Sequence, residues 1–265
     1  MNLINFLFMN KDVWLNVWAN FLAIIIGIIF LDIFKKRNLI NFFGLKKQNK
    51  LTIYLSSLYI PHNTALTYTN KIISFQGLVI PEYEHQVIPF FSNLFTLITT
   101  GKNVFHTILN KMLLGNVDIS YINTPLQINS ISFHNLICIG GPSANIVTNY
   151  YLRSNLNWLG FNSTNNGIEI KKGKRKGQVL GLNNSNEDFG ILEKIIDKKN
   201  DSIVFIAAGG NYMATKAAAY YLSENWRNLQ KEFKNNGFAL CIKTPQHFID
   251  NEGYKYPKII YKVKH

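Results

Sequence analysis

Between Val13 and Phe34 the chain reads VWLNVWANFLAIIIGIIFLDIF, an apolar run broken only by Asn16, Asn20 and Asp32. No other stretch limits the fold as strongly. As a helix it extends roughly 33 Å, enough to cross the hydrocarbon core of a bilayer. A surface helix of a soluble domain keeps one polar face, whereas this segment is apolar nearly all round. Trp14 and Trp18 fall near its N-terminal end, where amphipathic rings favour the membrane interface. The sequence thus predicts an N-terminal segment and transmembrane helix over residues 1–34. Neither a basic cluster before the run nor a small-residue cleavage site after it points to a cleaved signal peptide.

The flanks set an expected orientation. Lys35, Lys36, Arg37, Lys46, Lys47 and Lys50 follow the run without an intervening acid, while Lys11 and Asp12 cancel before it. The positive-inside rule places the N-terminus outside and the rest in the cytoplasm, as a single pass through the cell inner membrane. Residues 35–50 read as a basic juxtamembrane linker whose Phe42 and Phe43 can lie in the interface and whose cations favour anionic headgroups. Asn16, Asn20, Ala23 and Gly27 recur at helical spacing and share one face. Small residues allow helices to approach closely and asparagines bond across them, so this face predicts a homo-oligomer. The competing reading is that both asparagines lie shallow enough to reach headgroups.

Residues 51–265 carry no Pro-, Gly- or Ser-rich divide and read as one cytoplasmic α/β domain. Expected strands are Leu51–Leu55, Ile72–Ile80 as one strand or two with a bend at Gly77, the VDISYI segment, Phe238–Thr244 and Lys258–Val263. Expected helices follow Pro81, kinked or split in two at Pro89, and cover Lys102–Leu114 and the short EDFGILEKII segment (Glu187–Ile196). Gly167–Leu182 reads as a hairpin whose tip holds Lys171, Lys172, Lys174, Arg175 and Lys176. Asn135–Leu152 and Ser202–Trp226 are built alike: an apolar strand, a Gly-Gly turn, a helix. Continuously apolar strands suit a sheet buried on both faces, so the expected fold is a Rossmann-like, largely parallel sheet with flanking helices and a hairpin.

The two glycine turns are where chemistry is expected. In such sheets ligands bind beyond the carboxyl ends of strands, where helix N-termini offer free N–H groups and positive potential. Gly140, Gly141, Ser143 and Asn145 form one such turn; Gly209, Gly210, Asn211, Tyr212, Thr215 and Lys216 form the other. Together they suggest an anionic small-molecule ligand, a nucleotide above all, held as two phosphates or as one phosphate and a base stacked on Tyr212. The competing reading is two tight turns with capping residues, which any βα unit needs. Neither turn matches the dinucleotide or Walker fingerprints. The basic hairpin tip can act as a lid over a phosphate or touch headgroups. Net charge is +13 and only 16% of residues are charged, where about 25% is usual for soluble domains. The partners this implies are the lipid bilayer and the anionic ligand; no nucleic acid duplex is expected.

Candidate catalytic groups are few. Glu82, Glu84 and His85 can form an acid/base set at a helix start, although acids there also serve as plain dipole partners. Ser143 lacks a G-x-S-x-G context, and His134 precedes the first glycine strand. Cys138 and Cys241 lie in apolar runs with no ligand-spaced neighbours, so neither a disulfide framework, a metal site nor a cofactor is called for.

With its helix, basic flank and domain carrying ICIGGPSAN (Ile137–Asn145) and IAAGGNYMATKAA (Ile206–Ala218), the chain resembles membrane effectors of prokaryotic antiviral signalling. In these a sensor domain of the CRISPR-associated Rossmann or SLOG type binds a nucleotide messenger and the membrane part disrupts the bilayer. The resemblance implies an effector whose ligand alters transmembrane helix packing. A membrane-anchored enzyme acting on a nucleotide or nucleotide sugar through Glu82 or Glu84, or a scaffold that recruits partners, are the alternatives.

Overall fold

Helix α1 (Lys11–Phe42) realises the apolar run and continues beyond it. The structure, a computed structural model, describes residues 11–46, 49–56, 58–60, 65–68, 71–74, 77–79, 87–99, 117–123, 131, 133–162, 167–182, 187–245 and 257–265. The span Trp14–Phe42 has a mean hydropathy of 2.4 over its most apolar window, no part of which is buried. It is one helix long and apolar enough to cross a membrane. Two units divide the chain, Met1–Leu39 and Ile40–His265.

In the first unit the large apolar side chains from Trp14 to Phe34 are exposed, apart from the half-buried Ile29 and Ile33, as lipid contact demands of a spanning segment. Asn16, Asn20, Ala23 and Gly27 are exposed with them, and a Cβ on Gly27 would meet nothing within 4 Å. Lys36 and Asp32 pair at 2.6 Å, one turn apart.

The second unit is built on a seven-stranded sheet. Its strands are β1 (Lys50–Leu55), β6 (Asp118–Asn123), β7 (Asn135–Ile139), β11 (Glu187–Asp197), β12 (Ser202–Gly209), β13 (Phe238–Pro245) and β14 (Lys258–Lys264), in the spatial order β14-β13-β11-β12-β7-β1-β6. The parallel expectation holds across β12, β7, β1 and β6. On the other side β11, β13 and β14 add on antiparallel. Two small hairpins, β2 (Leu58–Ile60) with β5 (Gly77–Val79) and β3 (Ala65–Tyr68) with β4 (Lys71–Ser74), leave the sheet after β1. Of the one strand or two expected over Ile72–Ile80, the structure has two, β4 and β5, with different partners.

One sheet face is covered by α3 (Ile146–Arg153) and by a three-stranded sheet of β8 (Leu159–Phe161), β9 (Gly167–Ile170) and β10 (Val179–Leu182). The other carries α4 (Tyr212–Phe233), while α2 (Ile88–Thr99) meets it through Phe90, which packs on Tyr220. Phe42 and Phe43 also belong to this second face. Both are buried, with ring centroids 5.1 and 4.9 Å from Phe205, and Leu45 is buried beside them in sequence. The expectation that these phenylalanines lie in the membrane interface is corrected here, as is a domain start at Leu51. Apolar aromatic surface is more stable sealed against Phe205, Trp226 and Phe238 than half-solvated.

A second correction concerns EDFGILEKII. Its apolar spacing suits a helix, yet it forms the strand β11, buried along nearly its whole length between β12 and β13. A strand enclosed on both faces shows no alternation, so periodicity cannot distinguish it from a buried helix. Here the tertiary ladder overrides local preference. Pro89 sits in the first turn of α2, where a missing N–H costs nothing. The helix expected over Lys102–Leu114, and Glu82, Glu84 and His85, lie outside the described residues.

Candidate functional site

In the parallel half the chain passes from β1 to β6 on one side and then to β7 on the other, so strand order reverses between β1 and β7. The carboxyl ends of these two strands flank the crevice where such sheets take ligands. Gly140 follows β7 with φ 117°, a conformation that disfavours any side chain, and its N–H donates to Ala207 O at 2.9 Å. A Cβ on Gly141 would stand 3.0 Å from Gly209 O. The two glycine turns are therefore neighbours, and Gly141 is small because the second turn passes beside it.

Asn145 is fully buried, and its side chain is consumed by the fold. Its Oδ1 accepts the N–H groups of Val147 and Thr148 at 3.0 and 3.1 Å, capping α3. Its Nδ2 donates to Tyr54 O and Ile139 O at 3.1 and 2.9 Å, tying the ends of β1 and β7 together. Ser56 Oγ adds a bond to Ile139 O at 3.0 Å. Ser143, in contrast, is exposed at the turn.

The second turn is more closed than the first. Asn211 Oδ1 accepts from Met213 N and Ala214 N at 2.8 and 3.4 Å. Asp188 Oδ2 accepts from the same Ala214 N–H at 3.3 Å. This carboxylate is completely buried, and desolvation raises its pKa to about 6 against the opposing effect of its backbone N–H partners. The N-terminus of α4 thus already holds an internal acid. A Cβ on Gly209 would collide with Thr215 N, Ala214 Cβ and Asn211 O, so this glycine serves packing. Thr215 is buried and donates to Asn211 O at 3.2 Å; Lys216 is buried, with its pKa lowered by desolvation. Gly210 and Tyr212 remain exposed at the rim.

What the fold adds is a cavity of about 990 Å³ between the first turn and the basic hairpin. Pro142 and Ser143 line one side; Arg153 from α3, and Lys171, Lys172 and Lys176 from the β9–β10 hairpin, line the others. Asn149, Asn155, Asn157 and Asn162 supply further polar groups, and no acid lines the cavity. Lys171 pairs with Glu169 at 2.9 Å outside it, and Lys172 lies 6.0 Å from the centre of the Trp158 ring. The hairpin expected from Gly167 to Leu182 forms as read, and the structure brings its cations to the Gly140–Ser143 turn. Arg153 and the asparagines were not anticipated: an Asn-rich run such as 149–162 reads as composition until α3 and β8 fold it around a space.

Family models, curated proteins and solved structures give no match to this chain. Its chemistry must be read from its own groups. His134 is buried, with Nε2 2.5 Å from Thr52 Oγ1, itself 3.1 Å from Ser120 Oγ. Glu193 is enclosed on the α3 face, where its carboxylate oxygens accept from Trp158 N and Leu159 N at 2.6 and 3.3 Å. Burial raises its pKa to about 8, so it is largely protonated at neutral pH and anchors β8. Cys138 and Cys241 are free and buried, and burial pushes both thiols up, which keeps them inert. Among the described residues no group of His, Cys, Asp and Glu side chains gathers as a metal site.

Proposed function

We propose that this chain is a membrane-anchored receptor for an anionic, multiply hydrogen-bonding small molecule of nucleotide type. The observation that carries the reading is the acid-free cavity where Arg153, Lys171, Lys172 and Lys176 converge beside Ser143. Cations around a concave, partly enclosed space raise the local concentration of anions, and asparagines fix orientation by hydrogen bonding. The ligand sits between the first glycine turn and the hairpin, with the second turn supporting the first from behind. In this reading the domain is cytoplasmic, the helix self-associates through Asn16, Asn20, Ala23 and Gly27, and the ligand acts by changing helix packing. That layout is the one shared with antiviral membrane effectors.

The test is a thermal-shift screen of the full chain in detergent against mono-, di- and cyclic nucleotides. A ligand at 100 times its Kd stabilises by about 2.7 kcal/mol. The Lys172→Ala/Lys176→Ala variant should lose the shift while keeping the unliganded melting temperature. A panel without any stabilising compound, or an unaltered shift in that variant, refutes the reading.

A further inference from the structure

On the opposite face of the sheet from Glu193, its neighbour Lys194 is 1% exposed, its ammonium 4.7 Å from the centre of the Phe42 ring and 5.7 Å from that of Phe205. Among the described residues the ammonium has no hydrogen bond or ion pair. A buried cation without a counter-ion is costly, and two aromatic faces offset only part of that cost. Desolvation lowers its pKa to about 8. Lys194 lines a second cavity, of about 550 Å³, together with Lys46 and Lys198. Ser202 lines it as well, at 2% exposure, and its Oγ is buried with no hydrogen-bond partner among the described residues. Asn41 and Asn235 supply amides to the same lining. Two acids are also present there. Asp197 is already occupied: its Oδ1 accepts from Lys199 N and Asn200 N, and its Oδ2 from Tyr151 Oη and Asn200 Nδ2. Against the three lysines, the carboxylates of Asp197 and Asp201 leave the lining with a formal net charge of +1.

We infer that this cavity is a second anion site, built for a phosphate group, in which Lys194 supplies the buried charge and Ser202 a waiting hydroxyl donor. A compact ammonium acts as a point-charge partner for phosphate, and an oxyanion with several acceptor atoms can satisfy Lys194, Ser202 and the amides at once. The phosphate belongs either to a lipid headgroup or to a free ion. Asn41 and Lys46 follow Phe34, the end of the apolar run, by only seven and twelve residues in the chain. The inference does not depend on the cavity at the basic hairpin.

The full chain carrying Lys172→Ala/Lys176→Ala, which silences that other cavity, is placed in nanodiscs of phosphatidylcholine alone or with phosphatidylglycerol. Melting temperature is followed as inorganic phosphate replaces chloride at constant ionic strength. A free-phosphate site gives an equal rise in both discs, about 5 °C or more once phosphate reaches 100 times its Kd. A headgroup site gives a rise on adding phosphatidylglycerol, to which phosphate then adds little. Lys194→Met, whose side chain suits the aromatic cage, should abolish either response and melt higher than its parent without anion. Ser202→Ala, the milder change, should weaken apparent affinity at least threefold. No stabilisation by either anion, or the same stabilisation in both variants, overturns the inference.

Discussion

Replacing Asn145 separates two duties that its side chain performs at the point where strand order reverses. Asn145→Ala deletes the cap on Val147 N and Thr148 N and the donors to Tyr54 O and Ile139 O. Losing the cap costs about 1–2 kcal/mol, and removing one hydrogen bond from the buried Tyr54 carbonyl costs about 0.5–1.5. Ile139 O keeps Ser56, so its loss is smaller. The total is roughly 3 kcal/mol, which lowers the melting temperature by about 6–12 °C for a unit of this size. Asn145→Asp is the sharper variant. Aspartate caps a helix as well as asparagine does, so a capping role alone leaves it silent. In the structure it instead turns an acceptor toward two carbonyls, and the folded protein raises its pKa. A raised carboxyl pKa means that stability is lost as pH rises, so Asn145→Asp should melt well below wild type at pH 8 and approach it at pH 4. Tryptophan-fluorescence melts of the full chain in detergent read both variants. An Asn145→Asp protein as stable as wild type at pH 8 refutes the reasoning.

Glu193 keeps its proton to about pH 8 in the fold, against 4.5 as a free side chain, so between these values stability falls as pH rises. The slope is at most about 1.4 kcal/mol per pH unit, and Glu193→Gln should flatten it between pH 6.5 and 8; an unchanged slope in denaturant titrations refutes the assignment. Gly209→Ala should prevent folding or lower stability by more than about 3 kcal/mol, because backbone surrounds the new Cβ, while Gly27→Ala, with open space around it, should not change the domain's melt. Asn16→Leu with Asn20→Leu should leave insertion and melting unchanged yet reduce cross-linking between copies in bilayers; undiminished cross-linking removes that face from the association.

Much of the architecture was legible because its signals are local. An apolar run of membrane length, two Gly-Gly turns after apolar strands and a lysine-rich tip each declare themselves within a few residues. β11 did not, because Glu193 and Lys194 look like the polar face of a helix. They point instead to opposite faces of a buried strand, one held by backbone N–H groups and the other caged by rings. The candidate site was half legible. Its turn and hairpin were singled out separately, but their meeting across one cavity depends on how α3 and β8 return the chain. At Asn145 the capping reading of a glycine turn and the ligand reading compete in the sequence, and its four bonds in the structure all serve the backbone.

The burial of Phe42, Phe43 and Leu45 also decides where the polypeptide can be cut. A water-soluble fragment trimmed at Leu51, where the first strand's apolar residues begin, would strip these side chains from Phe205, Trp226 and Phe238. Each phenylalanine seals on the order of 150–250 Å², so the trimmed protein would display an apolar patch of the size that drives aggregation. Cleavage ahead of Ile40 spares that seam. Limited proteolysis of the detergent-solubilised chain should accordingly yield a stable product that retains Phe42 and Phe43, and protein expressed without them should precipitate.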